Sequence, residues 1–283
     1  MIASAPSPLD ALLPPEMARR AEEVGAAKAT MEAGRLLALA VLAGVFIALG
    51  GVFATIAVAG AGSAPWGAIR VLAGVVFSVG LVLVVVGGAE LFTGNNLIVM
   101  AWAGGRVGTS ALLRNWALVY AGNYAGGVAV ALAACGARLH EGGGGTVGGA
   151  ALDTAIAKLQ LGFGQAVLLG VLCNVLVCLA VWLSYSARST TDRVLAVVPP
   201  VAAFVAAGFE HSIANMYFVP FALFVRAFDP GFVAARDLEA PALTWAGFLV
   251  HNLLPVTLGN VIGGALLVGG VYWFVYLRPA ARP

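Results

Sequence analysis

The stretch GFEHSIANMYFVP, residues 208–220, sets Glu210, His211 and Asn215 inside an otherwise apolar run from Val194 to Val225. A helix needs about 20 apolar residues to cross roughly 30 Å of hydrocarbon, and this run is long enough. Its centre is the wrong place for ionisable groups unless they serve a purpose, because charge at membrane depth is costly. A second stretch repeats the pattern. AELFTGNN, residues 89–96, carries Glu90 and Asn95 inside the run from Ala68 to Val99. Both read E-x4-N, so two spans are expected to be interrupted, at Glu90–Asn95 and at Glu210–Asn215.

The same correspondence extends downstream. Asn115, Gly122, Asn123, Gly126 and Gly127 follow the first interruption; Asn252, Gly259, Asn260, Gly263 and Gly264 follow the second with identical spacing. Two matches in the same order make an internal repeat. Each copy holds three spans, and an odd number reverses the sense in which the second copy enters the membrane. The expected fold is an all-α membrane protein of six transmembrane helices, arranged as two inverted three-helix repeats with the second and fifth spans broken. In such plans the site lies near the midplane, where broken helices meet.

Composition agrees. Apolar residues make up 61% of the 283 and charged residues 10%, where a soluble domain carries about 25% charged. The 37 glycines suit close helix packing, since small residues let backbones approach in lipid. The remaining spans are expected at Leu36–Gly60, Ser110–Cys135, Gly162–Ala187 and Trp245–Tyr276, with a short segment at Ala150–Gln160 after a glycine-rich loop. Ten of the 15 basic residues fall on the side of the two termini, among them Arg19, Arg20, Lys28, Arg106, Arg193 and Arg278. By the bias of Lys and Arg toward the cytoplasm, both termini are expected to be cytoplasmic. The charged stretch before the first span is not a signal peptide. Residues 14–31 read as an amphipathic helix started by Pro14 and Pro15, either a surface helix or a movable cover over a pore. The expected organisation is this N-terminal segment, residues 1–33, and a channel domain, residues 34–283.

The interruptions suggest anion chemistry. A half-helix beginning at the midplane aims free N–H groups and partial positive charge at the centre. That field draws an anion without a fixed cation that would hold it too tightly to conduct, and no Lys or Arg is near either interruption in sequence. Glu90 and Glu210 occupy equivalent positions and are read as scaffold at the breaks, with Asn95 and Asn215, a proton relay being the alternative. His211 has no equivalent, its counterpart being Leu91. An imidazole at the midplane lends a hydrogen bond or a proton to a passing anion, since histidine changes charge near neutral pH; a core histidine satisfied by a carbonyl is the plainer reading. Thr93, opposite Ile213, is a second asymmetric donor, or the N-cap of a half-helix. Phe77, Leu81, Leu91, Phe92 and Phe204 flank the interruptions as constriction candidates, though such spacing is ordinary for packing residues.

Other classes are disfavoured. There is no basic block for nucleic acid. Cys135, Cys173 and Cys178 lack metal-ligand spacing and read as small packing residues. Glu210-His211 is adjacent and not an HExxH pair. No enzyme activity, cofactor or metal is expected.

AELFTGNN, RNWALVYAGN (114–123), GFEHSIANMYFVP and NLLPVTLGNVIGG (252–264) together resemble the formate/nitrite transporter family. The likeness spans nearly the whole chain and is strongest to the formate branch, through SPLDALLPPEMARRAEE (7–23) and VCLAVWLSYSARSTTD (177–192). The resemblance implies an aquaporin-like fold in a bacterial inner membrane. It implies a homopentamer with one pore per protomer, and passage of formate, nitrite and similar small monovalent anions. It assigns His211 and Thr93 to the central pore, Phe77 and Phe204 to a periplasmic constriction, and Leu81 and Leu91 to a cytoplasmic one. Lys158 and Asn174 match positions tied to the periplasmic vestibule and to the surroundings of His211. It makes residues 90–96 a flexible loop and the N-terminal helix a pH-responsive gate. Two departures stand out: Gly94-Asn95-Asn96 after Thr93 resembles the nitrite and hydrosulfide branches, and His251 stands where an acidic residue is expected. Nitrite or hydrosulfide passage and obligate proton–formate symport are the alternatives.

Overall fold

The structure, a computed structural model, describes residues 11–62, 64–236 and 241–279. Residues 1–10 of the expected N-terminal segment lie outside these. Every regular element among the described residues is helical, and five helices are long and apolar enough to cross a membrane.

Helix α1 (Pro14–Ala29) starts on Pro14, whose missing N–H costs nothing at a helix start, and Glu16 accepts from the Leu13 amide. Its buried face is Met17, Ala18, Ala21, Gly25 and Ala29. The spacing of three to four residues makes one stripe, which meets Leu97, Met100 and Trp182. Helix α1 is therefore docked on the rest of the chain. Helix α2 (Ala33–Val58) is capped by Glu32, which accepts from the Gly34 and Arg35 amides, and these bonds hold its carboxyl below the ordinary glutamate range. Helix α3 (Trp66–Gly87) ends on Gly88, at φ +82°. After a non-helical stretch, a 3-10 turn (Gly94–Ile98) leads into α4 (Val99–Ala103). Helix α5 (Thr109–Gly136) completes the first half.

The second half follows the same order. Helix α6 (Thr146–Leu159) precedes α7 (Phe163–Ser186), and α8 (Thr190–Ala206) ends just before Gly208, at φ +75°. Helix α9 (Ser212–Phe228) and the short α10 (Pro230–Ala234) follow, then α11, a 32-residue apolar helix Trp245–Tyr276 with π-helical stretches at Phe248–Leu253 and Ile262–Gly270. Gly88 and Gly208 each stand two residues before a glutamate. Only glycine takes a left-handed backbone there without steric penalty, and that conformation ends each helix.

Helix α2 packs on α3, α5 and α9; α3 packs on α8; α7 packs on α8 and α11. Glycines set how closely they approach. A Cβ on Gly126 would lie 2.2 Å from the Val41 carbonyl oxygen, and one on Gly259 2.1 Å from that of Val167. By contrast, Gly67 has open space around its Cβ position. Gly126→Ala is therefore expected to destabilise the detergent-solubilised protein by about 1–3 kcal/mol through overpacking, whereas Gly67→Ala leaves thermal unfolding unchanged or slightly raised. Equal melting of the two variants would refute close packing at Gly126. Leu168, Leu195 and Leu266 are each more than 60% exposed, on an outer surface suited to lipid or to neighbouring subunits.

Candidate functional site

Each half builds one polar cluster from residues far apart in the chain. In the first, Lys28 Nζ on α1 lies 3.0 Å from Glu90 Oε1 and donates to Asn95 Oδ1. Asn95 donates to Glu90 Oε2 (2.7 Å) and to Asn115 Oδ1 (3.0 Å), and Asn115 donates to the Lys28 carbonyl. In the second, Lys158 Nζ on α6 donates to Glu210 Oε1 at 2.7 Å, and Asn215 donates to Glu210 Oε2 and to Asn252 Oδ1. Asn252 donates to the Lys158 carbonyl. A lysine, a glutamate and two asparagines recur in the same roles.

The absence of a nearby cation, expected from the sequence around each interruption, is corrected here. Lys28 and Lys158 reach the two glutamates from helices 62 and 52 residues away in sequence. Glu90 and Glu210 are each paired with a lysine and an asparagine, which satisfies nearly buried carboxylates as their depth requires.

A second repeated device fixes the backbone. Asn123 donates to the carbonyls of Ala40 and Glu90 and accepts from the Phe92 amide. Asn260 donates to those of Gly170 and Glu210 and accepts from the Ser212 amide. In each stretch between helices one asparagine thus pairs two main-chain groups, one carbonyl and one amide, as buried irregular backbone demands.

Three side chains depart from the repeat and meet. Thr93 Oγ1 lies 2.9 Å from His211 Nε2. The Ala214 amide donates to His211 Nδ1 at 3.0 Å, making His211 the N-cap of α9. Nδ1 therefore carries no hydrogen, and the neutral ring holds its proton on Nε2, which donates to Thr93 Oγ1. Thr93 stands at the N-cap position of the 3-10 turn without a side-chain capping bond. The Thr93 hydroxyl hydrogen is left to point at a third group. Asn174 is the third residue, donating to Asn96 Oδ1 (2.8 Å), to the Asn260 carbonyl (2.7 Å) and, at 3.3 Å, to the Thr93 carbonyl. Cys178, read from sequence as packing, also donates to the Thr93 carbonyl. Asn174 is reached from sequence only through the family resemblance, and Cys178 is not reached at all.

Two cavities adjoin this region, one lined by His211 and the other by Gly94, the neighbour of Thr93 in the chain. One, about 410 Å³, is lined by His211, Phe77, Phe204, Lys158, Glu210 and Arg70. The other, about 260 Å³, is lined by Leu81, Leu91, Gly94, Glu90, Lys28 and Arg193. Phe77 and Phe204 meet edge to face at 5.8 Å, and Phe204 lies nearly parallel to the His211 ring. Leu81 and Leu91 share the smaller cavity. Phe92 lines neither cavity and packs instead on Trp116 and Tyr120. His251 is exposed. The larger cavity sets His211 beside Phe77, Phe204, Lys158 and Glu210, and the smaller sets Leu81 and Leu91 beside Lys28 and Glu90, a mixture of apolar and charged lining that suits a small anion.

Comparison with known proteins identifies the family. The family model for formate/nitrite transporters matches residues 15–274. The formate channel FocA of Escherichia coli K12 is 46% identical over 97% of this chain and 98% of its own. The formate channel FocA of Haemophilus influenzae is 38% identical over 92% and 93%. Among solved structures, a pentameric formate channel with formate bound superposes with a TM-score of 0.81 at 43% identity, covering 87% of this chain and 98% of that one. An ion channel of the same family gives 0.77 at 27% identity, covering 92% and 98%.

Proposed function

The chain belongs to the formate/nitrite transporter family, and from that premise we propose that it is a formate channel in which Thr93 and His211 handle the anion. The observation that carries this reading is the contact between Thr93 Oγ1 and His211 Nε2, which joins a residue lining the larger cavity, His211, to the chain neighbour of Gly94, which lines the smaller. Six spans as two inverted repeats, with the second and fifth broken, account for the paired Lys–Glu–Asn–Asn clusters. The symmetric parts hold the backbone open, and the asymmetric parts meet the substrate. Phe77 and Phe204 form the constriction on the α6 side, and Leu81 and Leu91 the one on the α1 side.

The anion enters a basin edged by a lysine, loses water at the apolar ring, and accepts a hydrogen bond from the Thr93 hydroxyl. His211 orients that hydroxyl by donating to its oxygen. Donation in this geometry needs no net proton turnover, and protonating Nδ1 would break its bond to the Ala214 amide. That supports a passive channel over obligate symport. The assembly is a homopentamer in a bacterial inner membrane with both termini cytoplasmic, and α1 is the pH-responsive cover, seated through Lys28 on Glu90.

The test is anion flux in proteoliposomes with formate, nitrite, acetate and chloride offered in turn. Formate is expected to pass fastest, with nitrite close behind and chloride slow. Faster nitrite would favour the nitrite reading suggested by Gly94-Asn95-Asn96. Indifference to all four anions would refute the proposal.

A further inference from the structure

The two cavities differ in charge although the halves that make them are alike. In each, the lysine and the glutamate of the polar cluster offset one another. What remains in the larger cavity is Arg70 and Asp153, one charge of each sign. What remains in the smaller cavity is Arg20 from α1 and Arg193 from α8, two positive charges without a lining carboxylate to offset them.

Neither arginine is consumed elsewhere. Arg20 lies 3.8 Å from Glu23, but both side chains are more than half exposed, and such a pair contributes little. Arg193 is exposed and has no carboxylate within 4 Å among the described residues. Its sequence neighbour Asp192 is engaged by the amides of Arg188 and Ser189 and does not line the cavity. Arg70, in contrast, donates to the carbonyls of Val205 and Ala206 at the end of α8.

We propose that Arg20 and Arg193 form an anion-gathering site for small carboxylates at the α1 mouth of the pore, with no counterpart at the α6 mouth. The proposal rests on the conduction reading above. Two unit charges roughly 9 Å from an anion in water raise its local concentration about fivefold at low ionic strength. At physiological ionic strength screening reduces this below about twofold. In a passive pore the maximal flux divided by the half-saturating concentration is the same in both directions. The asymmetry therefore surfaces as a lower half-saturating concentration from the α1 side, matched by a lower maximal flux from that side.

The experiment measures formate flux against formate concentration in proteoliposomes sorted by orientation, in low-salt and high-salt buffer. The native chain is expected to half-saturate at about two- to fivefold lower formate from the α1 side in low salt, with the ratio approaching one in high salt. Arg20→Gln with Arg193→Gln is expected to remove the asymmetry, and Arg20→Lys with Arg193→Lys to retain it. Both positions are exposed, so the fold is undisturbed, and the lysine pair checks that charge is the cause. Equal half-saturation from both sides in the native chain would overturn the proposal, as would an asymmetry that survives the glutamine pair. No formate flux at all in the native chain would instead overturn the conduction reading, and this inference with it.

Discussion

Formate flux through His211→Leu is expected to fall by about tenfold to a hundredfold, the largest loss for any single side chain outside the scaffold. Nε2 donates to Thr93 Oγ1, and on the proposed function that bond fixes the hydroxyl which meets the anion. Leucine is similar in volume but leaves the hydroxyl unoriented beside an apolar wall. A hydrogen bond to a charged group contributes about 1.5–3 kcal/mol, and each 1.4 kcal/mol is about tenfold. Two further variants separate causes. Leucine also deletes the cap on the Ala214 amide, a stability loss of about 1 kcal/mol. His211→Asn restores a capping side chain while shortening the donor, so it recovers stability more than flux. Thr93→Val keeps the shape of residue 93 and removes its hydroxyl; its flux is expected to fall with that of His211→Leu. Stopped-flow release of formate from proteoliposomes reads all three. Undiminished flux in both His211→Leu and Thr93→Val would show that the pair handles no anion.

Glu210→Ala is expected to be the most destabilising of the polar substitutions. It leaves Lys158, whose side chain is 14% exposed, without its counter-charge, and strips Asn215 and Asn252 of an acceptor. Removing one partner of a buried ion pair costs about 3–5 kcal/mol. For a protein of this size that lowers the melting temperature by roughly 6–20 °C. Adding Lys158→Met is expected to recover part of the loss, because no stranded charge remains. Glu90→Ala breaks the mirrored pair but is expected to cost less, since the Lys28 side chain is 26% exposed and reaches water more easily. Thermal unfolding in detergent checks the ranking. If Glu90→Ala proves the costlier, α1 is held more tightly than the exposure of Lys28 implies.

The polar residues of the site were legible in sequence because an apolar background makes them conspicuous. Glu90, Asn95, Glu210 and Asn215 stand out in otherwise apolar runs, and the repeated Asn–Gly–Asn spacing ties Asn115 and Asn123 to Asn252 and Asn260. The asymmetry of His211 and Thr93 followed from the same alignment of halves. The pairing of Lys28 with Glu90 was not legible, because nothing local links a terminal amphipathic helix to a glutamate 62 residues later. Once Lys158 and Glu210 are seen together, the likeness of α1 to α6 makes Lys28 the expected partner of Glu90. The left-handed glycines were present as G-x-E at two helix ends, Gly88 before Glu90 and Gly208 before Glu210, a signal hidden by the many other glycines. Phe92 shows where spacing alone is insufficient. It stands between Leu91 and Thr93, but its ring turns to Trp116 and Tyr120. The π-helical stretches of α11 leave no mark on the hydrophobic pattern, which matches the α-helical α5 residue for residue at the asparagines and glycines.

The most direct measurement is an experimental structure of the protein in formate at a concentration that saturates flux. The expected result is density for one anion between the two cavities, with an oxygen within hydrogen-bond distance of Thr93 Oγ1 and His211 still bonded to that hydroxyl. Formate resolved along a different path through the protomer, with the gap between Phe204 and Leu91 empty, would contradict a pore centred on Thr93 and His211.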